Sequence, residues 1–304
     1  MELWIPITIA AAFVQNLRSG LQRHLRMRMG TAGATFVRFG FGLPVAFVLL
    51  GLALWLTGTT PPATNAAFWV WVTTGAFAQI TAQALLVIMF TRRSFAVGSA
   101  YSRTEPVQAV IFGLVLLGER APPSVLLAIA ISVAGVVVLT LARQPGGDRL
   151  SGASPLPILF STTALIGLTS GTFFGLSAVA YRAASLSLPG PNFMVQAGTT
   201  LCVAISMQTV VMLVWMLLRD RAELRRVADA WRIGALTGLA GALASFGWFS
   251  AMTLQQAGAV KALAQIEMLF AYATTVLVFR EPVNRAEIAG CTLVAAGVIV
   301  LVLA

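Results

Sequence analysis

Residues 98–141 read GSAYSRTEPVQAVIFGLVLLGERAPPSVLLAIAISVAGVVVLTL, and a degraded second copy, AVKALAQIEMLFAYATTVLVFREPVNRAEIAGCTLVAAGVIVLV, fills residues 259–302. A single offset of 162 residues lays Glu105 on Glu267, Glu119 on Glu281 and Gly135 on Gly297. Each copy is two apolar stretches of helical length joined by a charged, proline-containing turn. Coincidence rarely yields three matches at one spacing, so the chain reads as two related halves of similar length.

Working outward, the remainder is equally apolar. Hydrophobic residues make up 58% of the chain and charged residues 10%, with a mean hydropathy of +0.88. A water-soluble domain carries about 25% charged residues. The composition is that of a membrane protein with no stretch polar enough to form a separate soluble domain. The net charge of +10 does not point to nucleic acid, because the arginines sit in short clusters between apolar runs, where they set topology. Cys202 and Cys291 both lie in apolar runs and form neither a disulfide framework nor a metal site. His24 is the only histidine, which leaves nothing from which to build a His-ligated metal centre or a catalytic triad. No cofactor is expected. The N-terminus has an acid at Glu2, no basic region and no cleavage-site pattern before Gln15 and Asn16, so it reads as a retained first span.

A hydrocarbon core about 30 Å thick takes roughly 20 residues of helix. Cutting at charges, prolines and glycines predicts ten spans, at 4–22, 32–56, 66–90, 95–117, 122–142, 157–181, 192–218, 233–254, 258–279 and 284–303. The expected fold is therefore all-α: a polytopic membrane protein with ten transmembrane helices in two five-helix repeats, residues 1–142 and 157–304, joined by a Gly- and Pro-rich linker at 143–156. The apolar runs are too long and continuous for barrel strands. The segment RDRAELRRVADAWR, from Arg219, is either a short interfacial helix or a solvated basic loop.

Fourteen arginines fall in or beside odd-numbered loops, against Arg120 and Arg182 in even ones. The positive-inside rule then places both termini outside a cell membrane. Five spans per half insert the second half inverted relative to the first, an arrangement used by secondary transporters.

Pro106 within the fourth span, Gly118-Glu119 at its end and the Ala134–Val138 run AGVVV, echoed by Arg280, Glu281 and Ala296–Val298, resemble the EamA family of the drug/metabolite transporter superfamily. The resemblance covers nearly the whole chain. It implies a ten-helix carrier with a central pathway between its halves, moving small metabolites, amino acids or drugs, often outward. The chain departs from the family pattern twice. Met268 stands where a second proline is expected, which predicts a straighter ninth helix than the fourth. The charge bias also puts the termini outside, where the family has them in the cytoplasm.

An ionisable group at mid-bilayer costs at least ~2.5 kcal/mol on insertion scales, so such groups face a cavity, a partner or water. Glu105 and Glu267 lie at equivalent, near-central depths. One reading makes them pathway acids that take a proton or neutralise a cation. The other makes them members of fixed ion pairs, Glu105 with Arg38 and Glu267 with Lys261 or Arg18. Arg103 is two residues from Glu105 and so points elsewhere. Four basic groups (Arg18, Arg38, Arg103, Lys261) against two acids favour an anionic or zwitterionic solute, unless Arg18 and Arg38 snorkel to an interface. Pro106 can kink its helix and free a carbonyl near residue 102. Gln79 and Gln83 share a helical face, and with Gln265, Asn16, Trp248 and Tyr272 they can orient a ligand or link helices. Glu119 and Glu281, just before prolines, are read as helix caps or gate residues. Gly171/Gly175 and Gly234/Gly238 have the spacing of close helix contacts.

No P-loop, dinucleotide fingerprint, HExxH or Gly-x-Ser-x-Gly occurs. The expected function is that of a non-enzymatic secondary transporter or exporter of a small metabolite, amino acid or drug, working by alternating access and coupled to protons. A flippase of an amphipathic solute and a structural membrane protein are the alternatives. The expected partners are the lipid bilayer, a small solute and protons. The sequence is equally compatible with a monomer and a homodimer.

Overall fold

The computed structural model describes residues 2–25, 28–90, 101–142, 162–190, 192–277 and 285–303. Among these the chain is helical, with no strand. The helices are α1 (Trp4–Leu25), α2 (Thr31–Gly40), α3 (Gly42–Thr57), α4 (Ala66–Phe90), α5 (Glu105–Leu117), α6 (Pro123–Ala142), α7 (Thr162–Ser187), α8 (Phe193–Arg219), α9 (Arg221–Asp229), α10 (Trp231–Leu254), α11 (Ala257–Leu263), α12 (Ile266–Leu277) and α13 (Arg285–Leu303). Among the described residues, five segments are long and apolar enough to cross a membrane: Ala32–Thr57, Ala164–Ser187, Phe193–Arg219, Trp231–Leu254 and Arg285–Leu303. Shorter apolar helices cover Glu105–Leu117 and Pro123–Val138. The inter-half linker lies outside the described residues.

The distribution of side chains is that of a lipid-facing protein. Trp55, Val48, Val115 and Leu218 are exposed, whereas the buried positions are rich in Ala, Gly and Ser. In lipid, close packing of small residues and internal backbone hydrogen bonds replace the hydrophobic drive that sorts a soluble core. Helix ends follow local chemistry. Gly58 and Gly118 adopt left-handed φ of 63° and 68° to close α3 and α5, a conformation that costs glycine little. Asn192 caps α8 by accepting from the Met194 and Val195 amides.

The chain forms two compact units, and each draws on both sequence halves. Unit 1 comprises Met1–Phe77 and Ala180–Gln255. In it α1 packs on α10, and α3 packs on α8 and α10. α9 is a true helix, so the basic interval is ordered and not a solvated loop. Its Glu223 is buried, accepting from the Gly33 amide at 3.2 Å and from Arg226 at 2.6 Å. The carboxylate thereby satisfies an amide in the first turn of α2, where the helix dipole favours a negative charge. Arg182 donates to the carbonyls of Met252 and Gln255 at 2.6 and 2.7 Å, capping the C-terminus of α10.

Unit 2 comprises Ala78–Val179 and Gln256–Ala304. Its chief contact is α6 against α13, helices from equivalent places in the repeat. A Cβ on Gly135 would stand 2.6 Å from the Val294 amide nitrogen and 2.8 Å from the Gly290 carbonyl oxygen; a Cβ on Gly297 would meet the Ser132 amide nitrogen at 2.7 Å and the Ala128 carbonyl oxygen at 2.9 Å. With the offset applied, Ser132 corresponds to Val294 and Ala128 to Gly290, so each helix meets its counterpart through matching residues. A local two-fold relation between the copies produces such reciprocity.

Neither the fourth nor the ninth predicted span is one helix. A turn at Arg103–Thr104 precedes α5, and a turn at Ala264–Gln265 separates α11 from α12. Pro106 is not an interior kink. It is the second residue of α5, where a missing N–H is harmless. The straighter ninth helix expected from Met268 is not observed. The break there needs no proline, because the Gln265 and Glu267 amides bond to the Ala262 and Ala264 carbonyls at 3.1 and 3.0 Å, the i→i−3 pattern of a tightened turn.

Candidate functional site: a crossed pair of ion bridges at two matching helix breaks

The two breaks come together in unit 2, where α5 packs on α11. Gln265 Nε2 donates to the Arg103 carbonyl at 3.3 Å. These residues are 162 apart, the repeat offset, so equivalent positions of the two copies touch. The proline explains why this carbonyl is available. In the second copy the Met268 amide donates to the Gln265 carbonyl at 2.9 Å. At the matching place in the first copy, Pro106 has no N–H to give Arg103, and the Gln265 side chain supplies the donor.

Around this contact the charges pair crosswise. Lys261 Nζ lies 2.8 Å from Glu105 Oε1, and Arg103 Nη1 lies 3.9 Å from Glu267 Oε2. Each acid therefore takes its partner from the other half of the chain. The ion pairs shown are thus Glu105 with Lys261 and Glu267 with Arg103, neither of which is among the pairs expected above. Lys261 and Glu267 are six residues apart, a spacing that does not make them neighbours on one helical face. The Glu105–Lys261 approach is the closer of the two. Its side chains are about one-fifth exposed, whereas Arg103 is 35% exposed and its pair is looser. The four charges sum to zero, so the cluster is neutral as long as both acids are ionised.

Glycines admit the neighbouring helix. On α7, a Cβ at Gly171 would lie 2.9 Å from the Ser102 carbonyl oxygen, and one at Gly175 would lie 3.3 Å from that of Glu105. The small-residue spacing read in the sequence therefore packs α7 directly against the first break. Gln108, which the sequence reading passed over, donates to Thr104 Oγ1 at 3.2 Å. The amide oxygens of Gln108 and Gln265 are buried without a hydrogen-bond partner among the described residues. Gln79 and Gln83, half-buried on α4, and Tyr272, half-buried on α12, belong to the same unit.

The remaining candidates lie elsewhere. Arg38, Trp248 and Asn16 belong to unit 1. There Trp248 Nε1 donates to Gln15 Oε1 at 2.9 Å, and Arg38 Nη2 to Ser245 Oγ at 3.5 Å. The Glu119 carboxylate folds back toward Gly113 of the preceding helix α5, and its amide closes that helix by bonding to the Gly113 carbonyl at 3.1 Å. Glu281 lies outside the described residues. The burial of Glu223 was not anticipated from the stretch RDRAELRRVADAWR, in which it is one of three acids among five arginines.

The profile of the EamA-like transporter family matches residues 3–141 and 161–303, one match in each half. The chain belongs to the EamA-like transporter family. It is thus a multi-pass membrane protein of a transporter family, and each match contains one of the two copies that share the 162-residue offset. No curated protein matched the chain. A solved structure described only as the crystal structure of a protein superposes with a TM-score of 0.69, covering 99% of this chain and 96% of that one at 17% identity. That likeness is one of fold.

Proposed function

We propose that this EamA-like protein is a secondary transporter of a small metabolite, amino acid or drug, with ten spans in two inverted five-helix repeats, working by alternating access with protons coupled through Glu105 and Glu267. The observation that carries the reading is the crossed pairing at two helix breaks. Charged groups at broken helices are costly in a bilayer and persist where they serve a pathway. Protonating Glu105 removes its attraction for Lys261, and protonating Glu267 releases Arg103. Each event loosens a contact between the two copies and exposes a cation that a solute can take up. The neutral cluster thus becomes charged only when a proton arrives, which couples proton entry to a change in packing.

The localisation that follows is a cell membrane, with the termini outside on the charge bias; a compartment-sensitive reporter fused after Ala304 tests it, and a cytoplasmic signal would reverse the orientation. Transport itself is tested by reconstituting the purified protein in liposomes and imposing a pH step. A panel of amino acids, organic acids, nucleosides and cationic drugs then serves as external solute. Gradient-dependent movement of at least one class is expected. Rates equal to those of protein-free liposomes across the panel, with the protein shown to be folded, would overturn the reading.

A further inference from the structure

In unit 1, α9 links the end of α8 to the start of α10, and its inner face is taken up by the protein itself. Val227 is buried in one apolar cluster with Leu25, Met29, Val37 and Met216, and Leu224 packs against that cluster. Glu223 is buried beside Gly33, and Asp220 caps the helix by accepting from the Glu223 amide. Two arginines also serve the fold. Arg221 Nε donates to the Leu217 carbonyl at 2.9 Å at the end of α8, and Arg226 bonds Glu223. The outward surface is cationic: Arg219, Arg225 and Arg232 are exposed, and so is Arg28, next to Met29 of the same cluster. The exposed acids among them are Asp220, engaged as the cap, and Asp229.

This cationic surface stands directly beyond a lipid-facing one. Val211, Trp215 and Arg219 are spaced four apart on α8 and all are exposed, so one stripe of the helix runs from aliphatic through indole to guanidinium. Tryptophan settles at the headgroup boundary of a bilayer, which carries the Arg219 backbone about 6 Å further out, to the level of the lipid phosphates. A second indole repeats the order at the start of α10, where the exposed Trp231 carries the Arg232 guanidinium 5.6 Å from its ring centre. Charge that only sets topology could stand anywhere in this interval. Here it follows the order of a phospholipid from acyl chain to phosphate, and the burial of Glu223 removes an acid from the surface that meets the headgroups.

We propose that Arg219, Arg225 and Arg232, with Trp215 and Trp231, form a surface that binds anionic phospholipids by their headgroups, the acyl chain lying along the Val211–Trp215 stripe of α8. Each arginine near a membrane surface is worth about a fivefold preference for anionic lipid. No solute or proton takes part, so the surface is independent of the transport reading.

The test is lipid binding to the purified full-length protein in neutral detergent. Mixed micelles of phosphatidylglycerol or phosphatidylcholine with the same acyl chains are titrated in, bound lipid is counted by native mass spectrometry, and thermal stability is recorded. Phosphatidylglycerol is expected to bind at least tenfold more tightly than phosphatidylcholine, with the preference falling as salt rises. R225Q should weaken phosphatidylglycerol binding about fivefold, and R219Q/R225Q/R232Q at least tenfold. R219K/R225K/R232K, which keeps the charge, should retain most of the preference, and R120Q, at an exposed arginine of unit 2, should leave it unchanged. Inorganic phosphate should compete no better than chloride at equal ionic strength. Equal binding of the two lipids, an unchanged preference in the triple Gln variant, an equal loss in the triple Lys variant or in R120Q, or competition by inorganic phosphate beyond that of chloride would overturn the proposal.

Discussion

Arg103 and Gln265 hold the same place in the two copies of the repeat, and the Gln265 side-chain amide donates to the Arg103 main-chain carbonyl at 3.3 Å. The contact exists because the copies differ. Met268 supplies a backbone donor in one, and Pro106 cannot in the other. An asymmetry in sequence is thus absorbed by a bond between the symmetry-related positions.

Replacing Gln265 by Ala leaves this carbonyl short of a donor and is expected to cost about 1–2 kcal/mol of stability. P106A restores an N–H in the first copy, so Q265A should cost less in the P106A background than in the wild type. A double-mutant cycle by thermal or denaturant unfolding in detergent measures the difference. Additive effects would mean that Pro106 and Gln265 are not linked through this carbonyl.

Glu105→Gln leaves Lys261 inside the protein without its anion. Removing one member of a buried pair costs about 3–5 kcal/mol, and partial exposure reduces this to about 1–2 kcal/mol here. The double variant E105Q/K261Q should recover most of the loss. The looser Arg103–Glu267 pair should give under about 1 kcal/mol in the corresponding variants. Unfolding curves of the wild type, E105Q, K261Q and E105Q/K261Q decide it, and a double variant no more stable than E105Q would contradict the pairing.

At the α6–α13 crossing, G135A and G297A each bring a methyl against backbone atoms that have no rotamer by which to move. Each substitution is expected to destabilise by about 1–3 kcal/mol, visible as a lowered Tm. G20A, on a glycine with open space around it, serves as the control and should be neutral or slightly stabilising, since alanine is the better helix former. Equal Tm values for all three would remove the close crossing from the account.

Glu223 holds the start of α2. E223A is expected to lose about 1–3 kcal/mol by leaving the Gly33 amide without its acceptor, and G33A should be destabilising for a different reason, its methyl striking the carboxylate of Glu223. If steric conflict is the cause, G33A should be milder in the E223A background. Melting temperatures of the two single variants and the double variant check this.

The repeat made much of this legible. The offset matches Glu105 with Glu267 and Gly135 with Gly297, and in the structure the α6–α13 crossing and the two helix breaks fall at positions that it pairs. Partner choice was not legible. Sequence shows which charges lie at similar depth, but the face each presents depends on where a helix breaks, and the tightened turn at Ala264–Gln265 carries no proline to announce itself. Glu223 was hidden for a related reason: whether its stretch is an interfacial helix or a solvated loop, nothing in it shows that Gly30 and Gly33 make room for the acid. Arg18 and Arg38 were visible as charges, but that both lie against Gly241 depends on how α1 and α2 pack against α10.

The central claim is that Glu105 and Glu267 carry the coupled proton. The most direct measurement loads liposomes containing the wild type, E105Q, E267Q or the double variant with a pH-sensitive dye and records proton movement on adding a solute that the wild type transports. Solute-driven proton flux in the wild type, reduced at least tenfold in each single variant and absent in the double variant, is predicted. Wild-type proton flux in E105Q/E267Q would contradict the account.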